Sequence, residues 1–372
     1  MNMKWFKSLS LMLVLALVLA ACGGGGSGGG GQASPGSNAS GSSSSASSDG
    51  KVYEFDFNNF TASNGAIAKQ VLEPWAQMVE QKSNGRVKIN LYHGGALGAS
   101  TAVLKDVRGG VYDMGLIFSV YYSDSELYPI TIGDLPFALG DDIEQNTRVI
   151  KAFYERYKDK MLQGVVPMGI ASAAPSYIFA KTPIRSVDDL KGKKMRATGA
   201  ADVDIYRAWG ATGVQVALEE LYDSLAKGII DGVITSAAQG RDTHLAEVAP
   251  YMTDVAFRVI QTIPIINEAA WNELPDDLKR LFEEELFQDL LDLIIKQNIE
   301  DTTKGKDDIR KMVEGKGEVF PMDPAELTRL KATVKVAWDK WAENAPKWGY
   351  NYDELLNAYK EDLAKEGMSL PF

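Results

Sequence analysis

The stretch Ser186-Val-Asp-Asp-Leu-Lys-Gly-Lys-Lys-Met-Arg-Ala-Thr-Gly199 combines the signals of a helix, a strand and a turn. Ser186 is a typical helix N-cap, and two aspartates follow it in the first turn, beside the positive end of the helix dipole. Gly192 predicts the end of that short helix, and the residues up to Arg196 predict a strand. Arg196 therefore lies at the carboxyl end of a strand, where ligands bind in open α/β sheets. Its planar guanidinium can hold a carboxylate through two parallel hydrogen bonds.

Outward from this stretch, strand and helix patterns alternate along the chain. Apolar and polar residues alternate from Tyr53 to Asn58, which predicts a half-buried strand, and the following residues have helical spacing. Such alternation indicates βαβ units and an α/β fold. The sequence Gly-Val-Tyr-Asp113 recurs as Gly-Ile-Ile-Asp231, each time between an amphipathic helix and an apolar strand. This repetition suggests two lobes of related construction with a ligand cleft between them.

A helical pattern of unusual length covers residues 275–314. At 1.5 Å per residue this helix would extend for nearly 60 Å, which is longer than one lobe is wide. Two further helices are predicted near residues 324–344 and 352–365. Residues 253–268 are predicted to form strands that return to the first half of the fold.

Two motifs resemble a known family. Asp189-Leu-Lys-Gly-Lys-Lys-Met-Arg196 is similar to the segment that carries the substrate-anchoring arginine in solute-binding proteins of TRAP transporters, the DctP family. Asp134-Leu-Pro-Phe137 resembles another segment of these proteins. The resemblance implies a two-lobed, periplasmic-binding-protein-like α/β fold, with mixed sheets flanked by helices and one long helix spanning both lobes.

The predicted organisation has four parts. Residues 1–22 form a signal with a lipoprotein box, and residues 23–50, which are rich in Gly and Ser, form a disordered tether. Residues 51–173 with 262–301 form the N-terminal lobe. Residues 174–261 with 302–372 form the C-terminal lobe and the closing helices.

The N-terminal segment has a basic start followed by an apolar run over residues 9–21, which is too short to span a bilayer comfortably. It ends in Leu-Ala-Ala-Cys22, which resembles the box of bacterial lipoproteins, in which the cysteine carries lipid. An ordinary secretory signal and an uncleaved anchor are the alternatives. The lipoprotein interpretation predicts an extracytoplasmic protein that a lipid on Cys22 attaches to the membrane.

Composition excludes several classes of protein. The net charge of -11 argues against a nucleic-acid partner. One cysteine and two histidines, His93 and His244, make a metal site improbable, and no cofactor is expected. Beyond residue 50 the sequence has no nucleophile elbow, P-loop or H-E-x-x-H motif, so we expect no enzyme.

The resemblance assigns Arg196 as the anchor of a ligand carboxylate. Thr235 and Ser236 stand where many members have a carboxylate-binding asparagine, and a hydroxyl can still donate a hydrogen bond. Ser176 stands near the position of a second arginine in dicarboxylate-binding and sialic-acid-binding members. The loss of that charge favours a monocarboxylate ligand.

Other candidates come from loop and strand-end positions. An apolar wall for the ligand is predicted from Tyr121, Tyr122, Tyr177 and Trp209. Phe60 and Asn64 follow the first strand, where loops that line a cleft are expected to begin. His93, Asp113 and Asp231 are interpreted as residues that hold loops or turns. Together these features predict a lipid-anchored receptor that captures an organic acid and delivers it to a TRAP membrane permease. A ligand sensor of the same fold and a secreted α/β enzyme are the alternative functions.

Overall fold

The structure, a computed structural model, describes residues 50–370. The predicted signal peptide, Cys22 with its predicted lipid and nearly all of the predicted tether lie outside the described residues. Within them, no helix is both long and apolar enough to cross a lipid bilayer.

Twelve strands in the described range form two sheets of six strands each. The strands are β1 (Tyr53–Asn59), β2 (Val87–His93), β3 (Met114–Phe118), β4 (Val165–Pro167), β5 (Ala171–Ser172), β6 (Ser176–Ala180), β7 (Lys194–Ala197), β8 (Thr212–Gln215), β9 (Gly232–Ser236), β10 (Tyr251–Arg258), β11 (Gln261–Asn267) and β12 (Glu318–Pro321).

The first sheet is the centre of the N-terminal lobe. Its order is β2-β1-β3-β11-β4, with β5 also paired to β11. The strands β1, β2 and β3 are parallel, and β11 runs antiparallel to β3. The alternation that predicted β1 places Phe55 and Phe57 in the core.

The second sheet, with the order β12-β10-β6-β9-β7-β8, is the centre of the C-terminal lobe. Strand β7 is parallel to both β8 and β9, whereas β6 is antiparallel to β9 and β10. The sheets are therefore mixed, and the predicted fold class is confirmed.

The chain crosses between the two sheets at two adjacent places. The backbone N–H of Ala173, which follows β5, donates to the carbonyl of Ile260, which lies between β10 and β11 (2.9 Å). The prediction that residues 253–268 all return to the first sheet was wrong, because β10 pairs within the second sheet. Both strands are apolar, so their sequences do not mark the change of sheet.

Thirteen α-helices accompany the sheets in the described range. They are α1 (Glu73–Lys82), α2 (Val103–Arg108), α3 (Ile143–Tyr157), α4 (Ala200–Ala208), α5 (Leu221–Ala226), α6 (Ala237–Asp242), α7 (Leu245–Val248), α8 (Glu268–Asn272), α9 (Asp276–Leu281), α10 (Phe287–Met312), α11 (Pro324–Thr333), α12 (Lys335–Asn344) and α13 (Tyr352–Lys365).

Helices α9 and α10 are the predicted long helix. A π-helical turn at Phe282–Leu286 joins them, so the helical path runs from residue 276 to 312, about 55 Å. The Leu286 carbonyl in this turn accepts a hydrogen bond from the Trp75 indole of the N-terminal lobe (2.8 Å). Farther along, Gly305 lies against Ala237 at the start of α6 in the C-terminal lobe.

Shorter helices differ from the prediction at their ends. A π-helical turn at Ile67–Leu72 runs directly into α1, so Pro74 lies inside a continuous helical path. Residues 324–344 form two helices, α11 and α12, instead of one. The last helix, α13, packs its Tyr359 against Phe153 of α3.

Candidate functional site

A cavity lies between the two lobes, with an empty volume of about 900 Å³ when its mouth is counted. Residues of both sheets and of the long helix α10 form its walls. Its lining includes Thr61, Ile67, Val71, Leu116, Phe118, Val120 and Tyr121 of the N-terminal lobe, Ser176, Arg196, Thr198, Ile234, Thr235, Ser236, Gln239, Asp242 and Arg258 of the C-terminal lobe, and Ile294, Gln297 and Asn298 of α10. The walls are mainly apolar, with polar groups at a few points, as in many small-molecule sites.

Arg196 contributes its guanidinium to this cavity from the carboxyl end of β7, as the sequence predicted. The residue is 3% exposed. Nε donates to the carbonyl of Val216 (2.8 Å), and Nη2 donates to the hydroxyl of Tyr121 (3.0 Å). Within residues 50–370, no carboxylate forms an ion pair with Arg196. A buried cation without a counter-charge is costly, so this guanidinium can bind an anion favourably.

Tyr121 reaches Arg196 from the opposite lobe. It lies in a short 3-10 turn, Ser119–Tyr122, directly after β3. Its ring stacks on Phe118, with 6.4 Å between the ring centroids, and the Arg196 guanidinium carbon is 5.9 Å from the Tyr121 ring centroid. Tyr121 therefore joins the two lobes at the cavity and presents an aromatic face beside the cation.

Three of the predicted hydroxyl residues also line the cavity. Ser176 and Ser236 are paired across β6 and β9, and Thr235 precedes Ser236. The Ser236 hydroxyl accepts a hydrogen bond from the backbone N–H of Gln239 (3.1 Å), because Ser236 is the N-cap of α6. This bond uses an acceptor site, and the hydroxyl proton can be donated to the Asp301 carboxyl of α10.

Five other candidates are not among the residues that line this cavity. Tyr177 follows Ser176 on β6, and the Lys306 ammonium of α10 is 5.6 Å from the centre of its ring. The Tyr122 hydroxyl instead accepts a hydrogen bond from the backbone N–H of Leu104 (3.1 Å).

The remaining three have different surroundings. The Trp209 indole donates to Thr333 (2.8 Å) and packs on Phe257 in the core of the C-terminal lobe. Phe60 is buried behind Phe118, edge-to-face, with 5.0 Å between the ring centroids. Asn64 is exposed in the loop before the first helical turn. Burial explains the aromatic residues here, as it does in most cores.

The residues that were interpreted as structural do hold loops. Asp113 accepts a hydrogen bond from the Asp56 backbone (2.8 Å), and Asp231 accepts one from the Lys194 backbone (2.8 Å). His93 Nδ1 is 2.9 Å from the Asn59 amide, and burial lowers the pKa of this imidazole. None of the three lines the cavity.

Sequence reasoning missed a second arginine in the cavity wall. Arg258 ends β10, directly opposite Ser176 in the strand register. It forms a buried ion pair with Asp202, with Nη1 2.5 Å from Oδ1 and Nη2 3.2 Å from Oδ2. Burial by itself would raise the pKa of Asp202, but the Arg258 charge and the hydrogen bonds from Thr198 lower it. The only signal in the sequence was an arginine at a strand end, fifty-six residues from its partner.

This arrangement defines a class of protein, in which two α/β lobes enclose a small-molecule cavity and present one uncompensated cation to it. A family model named "Bacterial extracellular solute-binding protein, family 7" (DctP) matches residues 57–344. The chain belongs to this family of TRAP transporter solute-binding proteins.

Individual relatives are distant. "Uncharacterized protein YiiZ" of Salmonella typhimurium is 26% identical over 228 residues, covering 60% of this chain and 69% of that protein. The crystal structure of a TRAP solute-binding protein from Rhodoferax ferrireducens T118, in complex with copurified benzoate, is 20% identical and has a TM-score of 0.75. The match covers 84% of this chain and 98% of that one. A TRAP periplasmic solute-binding protein from Bordetella bronchiseptica with bound (R)- and (S)-mandelate is 21% identical, with a TM-score of 0.73, covering 84% and 99%. Both structures share the two-lobed fold.

Proposed function

We propose that this protein captures an organic monocarboxylate outside the cytoplasm and delivers it to the membrane permease of a TRAP transporter. The observation that supports this most directly is Arg196, which is buried at the interlobe cavity and has no carboxylate partner in residues 50–370. The guanidinium can bind the ligand carboxylate through two N–H donors, as arginine commonly does.

The two lobes provide the mechanism of capture. When they close on a ligand, water leaves the cavity and the ligand charge neutralises Arg196. Closing without a ligand would bury an unpaired cation, at a cost of about 3–5 kcal/mol. The empty protein therefore favours an open form, and ligand binding shifts the population towards the closed one.

The rest of the cavity favours a largely apolar ligand. Phe118, Val120 and Ile234 line it, together with Ile294 of the long helix. Benzoate and mandelate, which are bound in two of the similar structures, are aromatic acids with one carboxylate each. Ser176 has no charge with which to hold a second carboxylate. We therefore expect a monocarboxylate with an uncharged remainder, and no chemical change of the ligand.

The N-terminal sequence supports a membrane-attached receptor. Cys22 would carry the lipid, and residues 23–50 would act as the flexible tether between the lipid and the folded lobes. An r.m.s. reach of about 30 Å would let the loaded protein meet a permease in the same membrane.

The test is ligand binding by two variants at the anchor and one matched control. A thermal-shift screen of the natural protein against benzoate, mandelate, short aliphatic acids and dicarboxylates comes first, because a ligand at 100 times its Kd adds about 2.7 kcal/mol of stability. Arg196→Ala is expected to abolish binding of the best acid. Arg196→Lys is expected to bind poorly, since an ammonium cannot reproduce the planar fork.

A matched control is Arg207→Ala, which removes an exposed arginine of α4 that pairs only with Asp204. It is expected to bind as the natural protein does. If Arg196→Ala binds the acid unchanged, the cavity does not use this anchor. If Arg196→Ala loses its fold without ligand, Arg196 is a structural residue and the proposal fails.

A further inference from the structure

The buried pair of Arg258 and Asp202 lies beside the anchor of the proposed ligand. Asp202 is in the first turn of α4, the helix that directly follows β7 and Arg196. Arg258 lines the main cavity and also a smaller adjacent one, which Asp202 lines too. Both residues are almost fully buried, with side-chain exposures of 5% and 2%. The pair therefore belongs to the cavity wall.

Thr198 connects this pair to the strand of the anchor. Its hydroxyl is 2.5 Å from Asp202 Oδ2 and 3.3 Å from Arg258 Nη2, and its backbone N–H also donates to Asp202 (2.8 Å). Because Thr198 is two residues beyond Arg196, the pair is held about 7 Å along the chain from the anchor. A ligand bound at Arg196 would therefore have the pair within reach, since Arg196, Thr198 and Arg258 line one cavity.

The charged residues of the cavity wall differ in whether they have an ion-pair partner. Arg258 has Asp202, and Asp242 has Arg241 at 2.9 Å. Arg196 is the only charged residue lining the cavity that has no ion-pair partner within the described part of the chain. The wall thus presents one net positive charge, although two of its residues are arginines.

We infer that Asp202 determines the specificity of the site for acids with a single carboxylate, by neutralising Arg258. This inference rests on the proposed function, because it concerns the ligand that Arg196 holds. With Asp202 present, a second ligand carboxylate near Arg258 would be repelled by Asp202 and would find the guanidinium donors already occupied. Without the charge of Asp202, Arg258 becomes a second anchor. Asp202 is a positioning residue, since it acts through Arg258.

The test compares pairs of acids that differ by one carboxylate, benzoate against its 1,2-, 1,3- and 1,4-dicarboxylate analogues and butyrate against succinate. Isothermal titration calorimetry gives the ratio of monocarboxylate to dicarboxylate Kd for the natural protein and for Asp202→Asn. We expect the natural protein to prefer the monocarboxylate, and Asp202→Asn to shift the ratio at least tenfold towards a dicarboxylate. Asparagine keeps the shape of the side chain and an acceptor for Thr198.

Asp204→Asn is the matched control, because Asp204 is on the same helix and pairs only with the exposed Arg207. Its ratio is expected to equal that of the natural protein. An unchanged ratio in Asp202→Asn overturns the inference. Failure of the natural protein to bind any of these acids overturns the proposed function instead, so the two failures are distinguishable.

A second variant covers the case in which Asp202→Asn does not fold. In Asp202→Asn with Arg258→Gln both charges are removed, which for a buried ion pair is often neutral for stability. The double variant is expected to regain the preference for the monocarboxylate. If the double variant prefers dicarboxylates, or if its Kd for the monocarboxylate is more than a hundredfold higher than that of the natural protein, Arg258 itself holds the ligand and the inference is wrong.

Discussion

Asp242 forms a charged contact between the lobes, and its removal is expected to speed ligand release. Asp242 ends α6 in the C-terminal lobe, and its Oδ2 accepts the backbone N–H of Ala66 in the N-terminal lobe (2.7 Å). Its side chain is 15% exposed. Ala66 precedes the helical turn at Ile67–Leu72, so the carboxylate also faces the positive end of that turn. The bond can exist only while the lobes are closed.

The size of the effect follows from the kind of bond. A hydrogen bond to a charged group contributes about 1.5–3 kcal/mol. Asp242→Asn keeps an acceptor but loses the charge, so we expect a loss of about 1–1.5 kcal/mol, which corresponds to a rise in Kd of about fivefold to fifteenfold. Because encounter with the open form does not use this bond, the change is expected in the dissociation rate.

Stopped-flow ligand displacement and calorimetry measure these quantities. Asp307→Asn is the control, since Asp307 on α10 is 64% exposed and pairs only with Arg310. Asp242 also lines the cavity, so its substitution could act through a lost contact with the ligand as well as through closure of the lobes.

Glu219→Gln separates these two effects. Glu219 accepts the Ser100 N–H across the lobes (3.2 Å) but does not line the cavity. It should also raise the dissociation rate, by a smaller factor. Dissociation at the natural rate in both variants would refute a role of these contacts in closure.

Two further predictions concern buried groups. Burial raises the pKa of Asp134 to about 8. Between about pH 4 and pH 8 this carboxyl is therefore protonated in the folded protein but ionised in the unfolded chain. Its contribution to stability is complete below about pH 4 and is lost as the pH rises through 8. In urea denaturation at pH 5, 7 and 9, Asp134→Asn is therefore expected to become more stable relative to the natural protein as the pH rises, by at most about 1.4 kcal/mol per pH unit. If the free energies of unfolding of the two proteins change with pH in parallel, this prediction is wrong. Gly305→Ala is expected to lower the free energy of unfolding by about 1–3 kcal/mol, because its Cβ would lie 2.4 Å from Asp301 Oδ1 and 2.8 Å from Ala237 Cβ. Alanine normally stabilises a helix interior relative to glycine by about 1 kcal/mol, so a gain in urea midpoint would show that α10 and α6 can separate here at little cost.

Local signals predicted many of the helices and strands and the place of Arg196 among them. The N-cap at Ser186 is formed, with Asp189 accepting the Ser186 backbone N–H (2.8 Å), and Arg196 lies at a strand end as its flanking glycines indicated. The long helix agrees with its hydrophobic period to within two residues at each end. These features depend on neighbours in sequence, which is why one chain was enough to find them.

Features that depend on the tertiary structure were not predictable in this way. Ser176 and Tyr177 are adjacent on β6, yet only Ser176 lines the cavity. The pairing of Arg258 with Asp202 joins β10 to α4, and no local pattern indicates which arginine will meet a carboxylate. Aromatic character likewise could not separate a cavity wall from a core, as Trp209 illustrates.

For the proposed function, the neutral partners of Arg196 explain how one site can both hold an acid and release it. The Val216 carbonyl and the Tyr121 hydroxyl fix the plane of the guanidinium without cancelling its charge. A carboxylate in place of either would satisfy the cation permanently, as Asp202 does for Arg258, and would leave little driving force for a ligand anion. Tyr121 belongs to the opposite lobe, so its bond to Arg196 breaks when the lobes separate. Water can then reach the guanidinium, and the energetic reason to retain the acid weakens at the moment of opening.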